Sequence, residues 1–413
     1  MYRKSSHLIG LVVVLAFLLI GVGSVSAAGP LPLANQSEGH NSFVAHYLEA
    51  QAASDLTDQD KIKEAIDTYF RLRYEGQRLL ETQDFALLLE NPSRAWVQKE
   101  QDKREIEIYN AILNRLNYVK YKYWLNYDSL EVDPGGRQAV VVLQENHDVV
   151  FEAIAPEVSK LRNLEHTILL ARHGDRWAVI QDDYRDELSE VLQYETKETI
   201  MERVRQNSIS SLRQEPLLVP FEQLALAKAD DRVKDHDVER IGPAPDSGGW
   251  HSYNRSAAVS YADTWANSRN PAYYDFSNYG GDCTNFASQV IYAGAPQMDN
   301  TGSWQWYYFN VNSRSPSWTN VGQLGDYLLN NTWTGPYGAT TNSCGVESGD
   351  LIQLYNGSYW YHSLMVVATQ QPYQCWDLSK IWINAHSTDR YHYPLSNYNP
   401  VSRRYIKING WYD

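Results

Sequence analysis

Of the three cysteines in the chain, Cys283 lies in the run Tyr279-Gly280-Gly281-Asp282-Cys283-Thr284-Asn285-Phe286-Ala287-Ser288-Gln289-Val290-Ile291. Phe286, Ala287, Val290 and Ile291 recur at helical spacing, so the run predicts a glycine turn and then a helix with a buried face, ended by Gly294 and Pro296. Cys283 falls in its first turn. Free backbone N–H groups and the positive end of the helix dipole favour the thiolate there, and the thiolate is the reactive nucleophile. The backbone N–H of Cys283 is also a candidate oxyanion donor.

Such a thiolate needs a base, and the chain downstream offers one. Gly349–Leu354 reads as a strand, Asn356-Gly357-Ser358 as a turn and Tyr359–Ala368 as the return strand. On the return strand Trp360, His362, Leu364 and Val366 share one face. A lone His beside Leu and Val is more often a satisfied core residue; the presence of Cys283 singles His362 out as general base. A third strand, Lys380–His386, puts Trp382, Asn384 and His386 on one face. A polar residue there could hold the imidazole of His362 in its tautomer, the third role in a triad. His386 is preferred, with Asn384 and the loop residue Asp389 as alternatives. Cys344 precedes this hairpin and Cys375 follows it. A Cys344–Cys375 bridge would leave Cys283 as the odd, unpaired thiol.

The elements that must position these residues fall in a C-terminal domain, residues 250–413. It holds ten of the thirteen Trp and few charges. Asn254–Asn267 carries a helical stripe of Ala257, Ala258, Tyr261, Ala262 and Trp265. Before this domain, 191–249 is a charged, partly helical linker ending in Gly242-Pro243-Ala244-Pro245-Asp246-Ser247-Gly248-Gly249. Residues 55–190 read as helices followed by antiparallel strands. Ile62, Ala65, Ile66, Tyr69 and Phe70 mark one helix, capped by Thr57 or Asp58, and Ile106, Tyr109, Ile112 and Leu113 a second. Val119–Tyr127 alternates with period two. Asp133-Pro134-Gly135-Gly136 is a turn before Ala139–Leu143, and Thr167–Ala171 with Trp177–Gln181 forms a hairpin. This is a separate α+β domain with a curved antiparallel sheet. Its layout is similar to the cone-shaped nuclear transport factor 2-like domains, a likeness of architecture that transfers no function. His166 and His173 have no ligand pattern around them and read as ordinary histidines.

At the start, Arg3 and Lys4 precede the apolar run Leu8–Val22. The small residues Val25-Ser26-Ala27-Ala28 follow, and 1–28 therefore reads as a secretory signal peptide, with 29–54 as a flexible leader. The apolar run is short of the roughly 20 residues that span a bilayer, and no stable membrane insertion is expected after cleavage. The product is secreted, or associated with the cell wall. The net charge is −14, yet residues from Trp250 onward contribute only −2, from eight Lys/Arg and ten Asp/Glu. This balance argues against nucleic-acid partners, which need clustered cations.

The Gly280–Gln289 run, with Gly349-Asp350, His362-Ser363 and Ala385-His386-Ser387-Thr388-Asp389, resembles the amidase domain family of secreted Gram-positive bacterial proteins. That family is similar in element order to papain-like, NlpC/CHAP-type cysteine hydrolases. The resemblance covers about 250–410. It implies a Cys-bearing helix packed on an antiparallel sheet, Cys283 as nucleophile, His362 as base and then acid, and His386 as the orienting residue. The segment between His362 and His386, which contains Cys375, is longer than the family pattern. The implied reaction is hydrolysis of an amide, in cell-wall peptidoglycan peptide, without metal or organic cofactor. An alternative is the same fold kept as a wall- or partner-binding module with no turnover. Cys283→Ala separates the two, since a binder keeps its affinity.

Overall fold

The computed structural model describes residues 38–83, 85, 88, 95–212, 249–370 and 376–413. The expected signal peptide 1–28, the linker stretch 213–248 and Cys375 lie outside these residues. Among the described residues no helix is long and apolar enough to cross a membrane.

In the first half, α1 (Glu38–Ala52), α2 (Asp58–Leu79) and α3 (Ala95–Asn114) precede four strands. These are β1 (Tyr118–Val132), β2 (Gln138–Phe151), β3 (Ser159–His173) and β4 (Arg176–Asp183), followed by α4 (Glu187–Val191) and α5 (Lys197–Leu212). Thr57 caps α2 in a reciprocal box. Its side chain accepts from the Asp60 backbone N–H while the Asp60 carboxylate accepts from that of Thr57, so two otherwise unpaired N–H groups are satisfied. The expected stripe of Ile62, Ala65, Ile66, Tyr69 and Phe70 is buried. Residues 38–52, expected within a flexible leader, instead form α1. What fixes it are polar anchors that periodicity does not reveal: buried Tyr47 donates to the Trp177 carbonyl at 2.7 Å, and buried Gln51 accepts from the Trp177 N–H and donates to the Lys61 carbonyl.

The second half begins with β5 (Trp250–Ser252), α6 (Arg255–Trp265) and α7 (Cys283–Gly294). After β6 (Tyr308–Asn310), β7 (Ser313–Arg314), α8 (Pro316–Thr319) and α9 (Val321–Asn330) come the remaining sheet strands. They are β8 (Gly335–Thr341), β9 (Leu351–Tyr355), β10 (Trp360–Thr369), β11 (Ile381–Ala385), β12 (Asp389–Pro394) and β13 (Ser402–Tyr412).

The fold is mixed α+β, but the two halves do not carry separate sheets. One eleven-stranded sheet runs β1-β2-β3-β12-β11-β10-β9-β13-β5, with β4 added to β3 and β8 to β13. The seam is β3 against β12, where Lys160, Leu161 and Arg162 oppose Tyr391, Arg390 and Asp389. Further along, from Thr167, the same side of β3 pairs with β4 instead. Asn163, in left-handed backbone at φ 58°, stands between the two pairings. Asn tolerates that conformation, and its amide donates to Asp389 across the seam. The expected first domain with a sheet of its own instead shares this sheet, because alternation identifies strands but not their partners.

Two apolar cores lie on opposite faces of β9–β11. One joins Phe70, Val141, Phe151 and Trp177 of the first half to Leu354, Leu364, Val366, Ile383 and Tyr393 of the second. The other packs α6, α7 and α9 onto Leu351, Met365, Val367 and Ile406.

Candidate active site

The loop before α7 is built to hold Cys283 in one place. Gly280 and Gly281 take φ of 95° and 114°, a region costly for residues with a Cβ. A Cβ on Gly281 would also lie 2.7 Å from Ser387 Oγ. Ser387 Oγ accepts from the backbone N–H of Asp282 at 2.9 Å and of Cys283 at 3.2 Å. The Cys283 N–H, expected as an oxyanion donor, is therefore engaged by Ser387. Asp282 closes the loop from the other side. One carboxylate oxygen accepts from the Phe276 N–H and the Asn285 amide, and the other faces His386 Nδ1 at 2.7 Å.

Cys283 is free, whereas Cys344 is disulfide-bonded. Only 6% of Cys283 and 5% of His362 are exposed, so the pair is largely shielded from bulk water. Burial pushes the Cys283 thiol up. The hydrogen bond and charge of His362, the Ser363 backbone N–H and the Thr284 hydroxyl outweigh it and hold the thiol below its ordinary range. Burial likewise pulls His362 down, but the facing Cys283 and then Glu187 raise it on balance, against Arg390. The two displacements reinforce each other, since each group favours the charged form of its neighbour. Beneath the pair, Thr284 Oγ1 pairs with Ser363 Oγ at 3.1 Å and Ser363 Oγ accepts from Gln353, which fixes the Thr284 hydroxyl that meets the sulfur.

The three residues expected to orient His362 lie elsewhere. In the sheet His362 pairs with Leu354, Leu364 with Ile352, and Val366 with Ile383. His362 thus shares the face of the core built with the first half. Asn384 is opposite Met365, on the face that carries α6 and α7. Its amide donates to Asp263 and its oxygen accepts from the His392 N–H. His386 spends both ring nitrogens, Nδ1 on Asp282 and Nε2 on the Trp265 carbonyl at 2.7 Å, and stacks on Phe286. Asp389 accepts from Arg269 and Asn163. His386 braces the loop that presents Cys283 rather than the base.

Residues 252–408 match the model of the family described as "Putative amidase domain". This part of the chain is an amidase-like domain. A similar protein, the uncharacterized protein YhbB of Bacillus subtilis (strain 168), is 43% identical over 81 residues, which are 19% of this chain and 24% of that relative's length. The solved intermembrane space region of chloroplast protein ARC6 aligns with 31% of this chain and 97% of its own, at 13% identity and a TM-score of 0.21.

Two groups at the site were not singled out from the sequence. Ser387 lies within the amidase-like domain, in the very run that suggested His386, but its role depends on a left-handed backbone, φ 86°, that no sequence signal announces. Glu187 lies outside the amidase-like domain altogether, in α4, and places Oε1 3.6 Å from His362 Nε2. Nothing in the spacing of the sequence joins it to a residue so far along the chain. Among the described residues no cluster of three or more His, Cys, Asp or Glu is placed to hold a metal ion. His166 is buried between Asp182 and Glu145, at 2.8 and 3.0 Å, and His173 closes β3.

Proposed function

We propose that the amidase-like domain is a cysteine hydrolase of papain-like, NlpC type, with Cys283 as nucleophile and His362 as base, acting on peptide amides of the bacterial cell wall outside the cell. The observation that carries the proposal is the pairing of a free thiol, displaced toward the thiolate, with an imidazole displaced toward the imidazolium.

The reaction follows from that pairing. The Cys283 thiolate attacks the amide carbonyl carbon. The tetrahedral intermediate collapses as the His362 imidazolium gives its proton to the departing nitrogen, and the C–N bond breaks to leave a thioester and a free amine. Neutral His362 then takes a proton from water. The hydroxide attacks the thioester, and the carboxylic acid and thiolate are released with the imidazolium restored; the acid then gives its proton to solvent. All charge moves between these two side chains and the substrate, so the buried setting keeps the exchange strong. The wall peptide and the extracellular setting rest on the signal-peptide pattern of 1–28 and the sequence resemblance.

Iodoacetamide labelling of the full chain, read site by site by mass spectrometry across pH, tests the pair. Cys283 should label with an apparent pKa below the unperturbed value of about 8.5. Cys283→Ala should abolish release of new amines from purified peptidoglycan. A thiol that titrates normally, or a Cys283→Ala chain that retains turnover, overturns the proposal. Wall binding unchanged in Cys283→Ala with no turnover in either protein would support a binding module.

A further inference from the structure

We infer that Glu187, from the first half of the chain, is the positioning residue that holds the His362 imidazole in its working orientation, so that the site is assembled from both halves. The inference rests on the reading of Cys283 and His362 as nucleophile and base.

A working imidazole needs a partner that fixes the orientation of its ring. His362 Nε2 is buried and has no hydrogen-bond partner within the ordinary limit, a costly state for a ring N–H removed from water. Glu187 Oε1 is the carboxylate oxygen facing it, at 3.6 Å. That is an ion-pair distance slightly too long for a hydrogen bond. Contacts of this kind are commonly loose in an unliganded site and tighten when substrate is bound. Of the groups beside the ring, Glu187 is the one that brings a negative charge to this nitrogen. Arg390 of β12 offers only donors, and the rings of Tyr361 and Tyr398 lie at 6.2 and 6.4 Å.

The carboxylate is itself held from two sides. Arg390 Nη2 donates to Glu187 Oε2 at 3.3 Å, and its guanidinium lies over the Tyr393 ring. Glu187 is the first residue of α4, whose cap Asp186 accepts from the Ser189 N–H and pairs with Lys103 of α3 at 2.9 Å. Position therefore passes from α3 through Asp186 to Glu187, and from the β3–β12 seam through Arg390. The expected orienting residues Asn384, His386 and Asp389, the last of which opens β12, have their polar atoms engaged elsewhere. A carboxylate here favours the imidazolium, in keeping with the upward displacement of His362.

The test compares the full chain with Glu187→Gln, Glu187→Asp and, as a control on the same helix, Glu190→Gln. Two quantities are read: iodoacetamide alkylation of Cys283 as a function of pH, and amine release from purified peptidoglycan. Glu187→Gln keeps the volume and should keep the melting temperature. It should lower kcat by about tenfold or more with little change in KM. Loss of the carboxylate charge lowers the His362 pKa, so the alkaline limb of the pH profile should move to lower pH. Glu187→Asp should fall between, and Glu190→Gln should match the parent chain. A Glu187→Gln protein with the parent's kcat and pH profile overturns the inference. So does one with raised turnover, which would make the contact a latch that holds the site closed. If Cys283 of the parent chain titrates as an ordinary thiol, the nucleophile reading fails first and Glu187 with it.

Discussion

At Cys283, geometry is enforced by its neighbours rather than by the cysteine itself. Gly281 can occupy φ 114° and let Ser387 Oγ approach only because it has no side chain. Gly281→Ala should therefore cost about 1–3 kcal/mol in denaturant unfolding, through backbone strain and contact with Ser387. It should also blunt iodoacetamide labelling of Cys283, because Ser387 carries two backbone N–H groups of that turn. A folded Gly281→Ala chain with unchanged stability and labelling would show that the turn has other ways to close. At this scale Cys283 and His362 were legible as a candidate pair because each has a local signal: a glycine turn before a helical stripe, and a histidine on an alternating strand. The orienting residue was not. Alternation tells which residues of one strand share a face. Register decides that Val366 meets Ile383, which turns Asn384 and His386 away from His362.

Among the elements, β2 and β3 carry a cluster of buried titratable groups, Glu145, His147 and His166. His147 meets the Tyr74 hydroxyl and Tyr393. Burial, partly offset by Glu145, pushes it down to about 3 from an ordinary 6.5. Glu145 stays well below the carboxylate range despite burial, because Arg73 and His166 stand beside it. Both displacements have the same sign for stability. Between pH 6.5 and about 3 the unfolded chain takes up a proton at His147 that the folded chain refuses, so stability is full above this window and declines through it. Glu145 adds a loss at lower pH, as the folded carboxylate is finally protonated. Urea midpoints should fall steadily from neutral to acid pH, and His147→Gln should flatten the upper part of that decline; parallel curves would refute it. The helices and strands were themselves largely readable, with α2, α7, β1 and β10 announced by their spacing. α1 was missed because its grip is made by the polar groups of Tyr47 and Gln51 rather than by an apolar stripe.

Taken whole, the molecule is organised by the seam between β3 and β12. A Pro/Gly-rich stretch after a change in composition predicted two domains joined by a tether, and nothing local in the sequence contradicts that. Strand pairing between residues more than two hundred positions apart is invisible to local pattern, and so is the shared core of Phe151, Tyr393, Leu364 and Val366. The seam also makes covalent continuity and structural continuity separate properties. A protease cut anywhere in 213–248 severs the chain, but the ladder and the common core still bind the pieces. Limited proteolysis there should yield two bands under denaturing conditions and one particle of unchanged mass in native solution, with the Cys283 labelling profile intact. Pieces that drift apart would show the seam too weak to hold alone. If they stay together, the protein tolerates being made, or matured, as two chains that act as one.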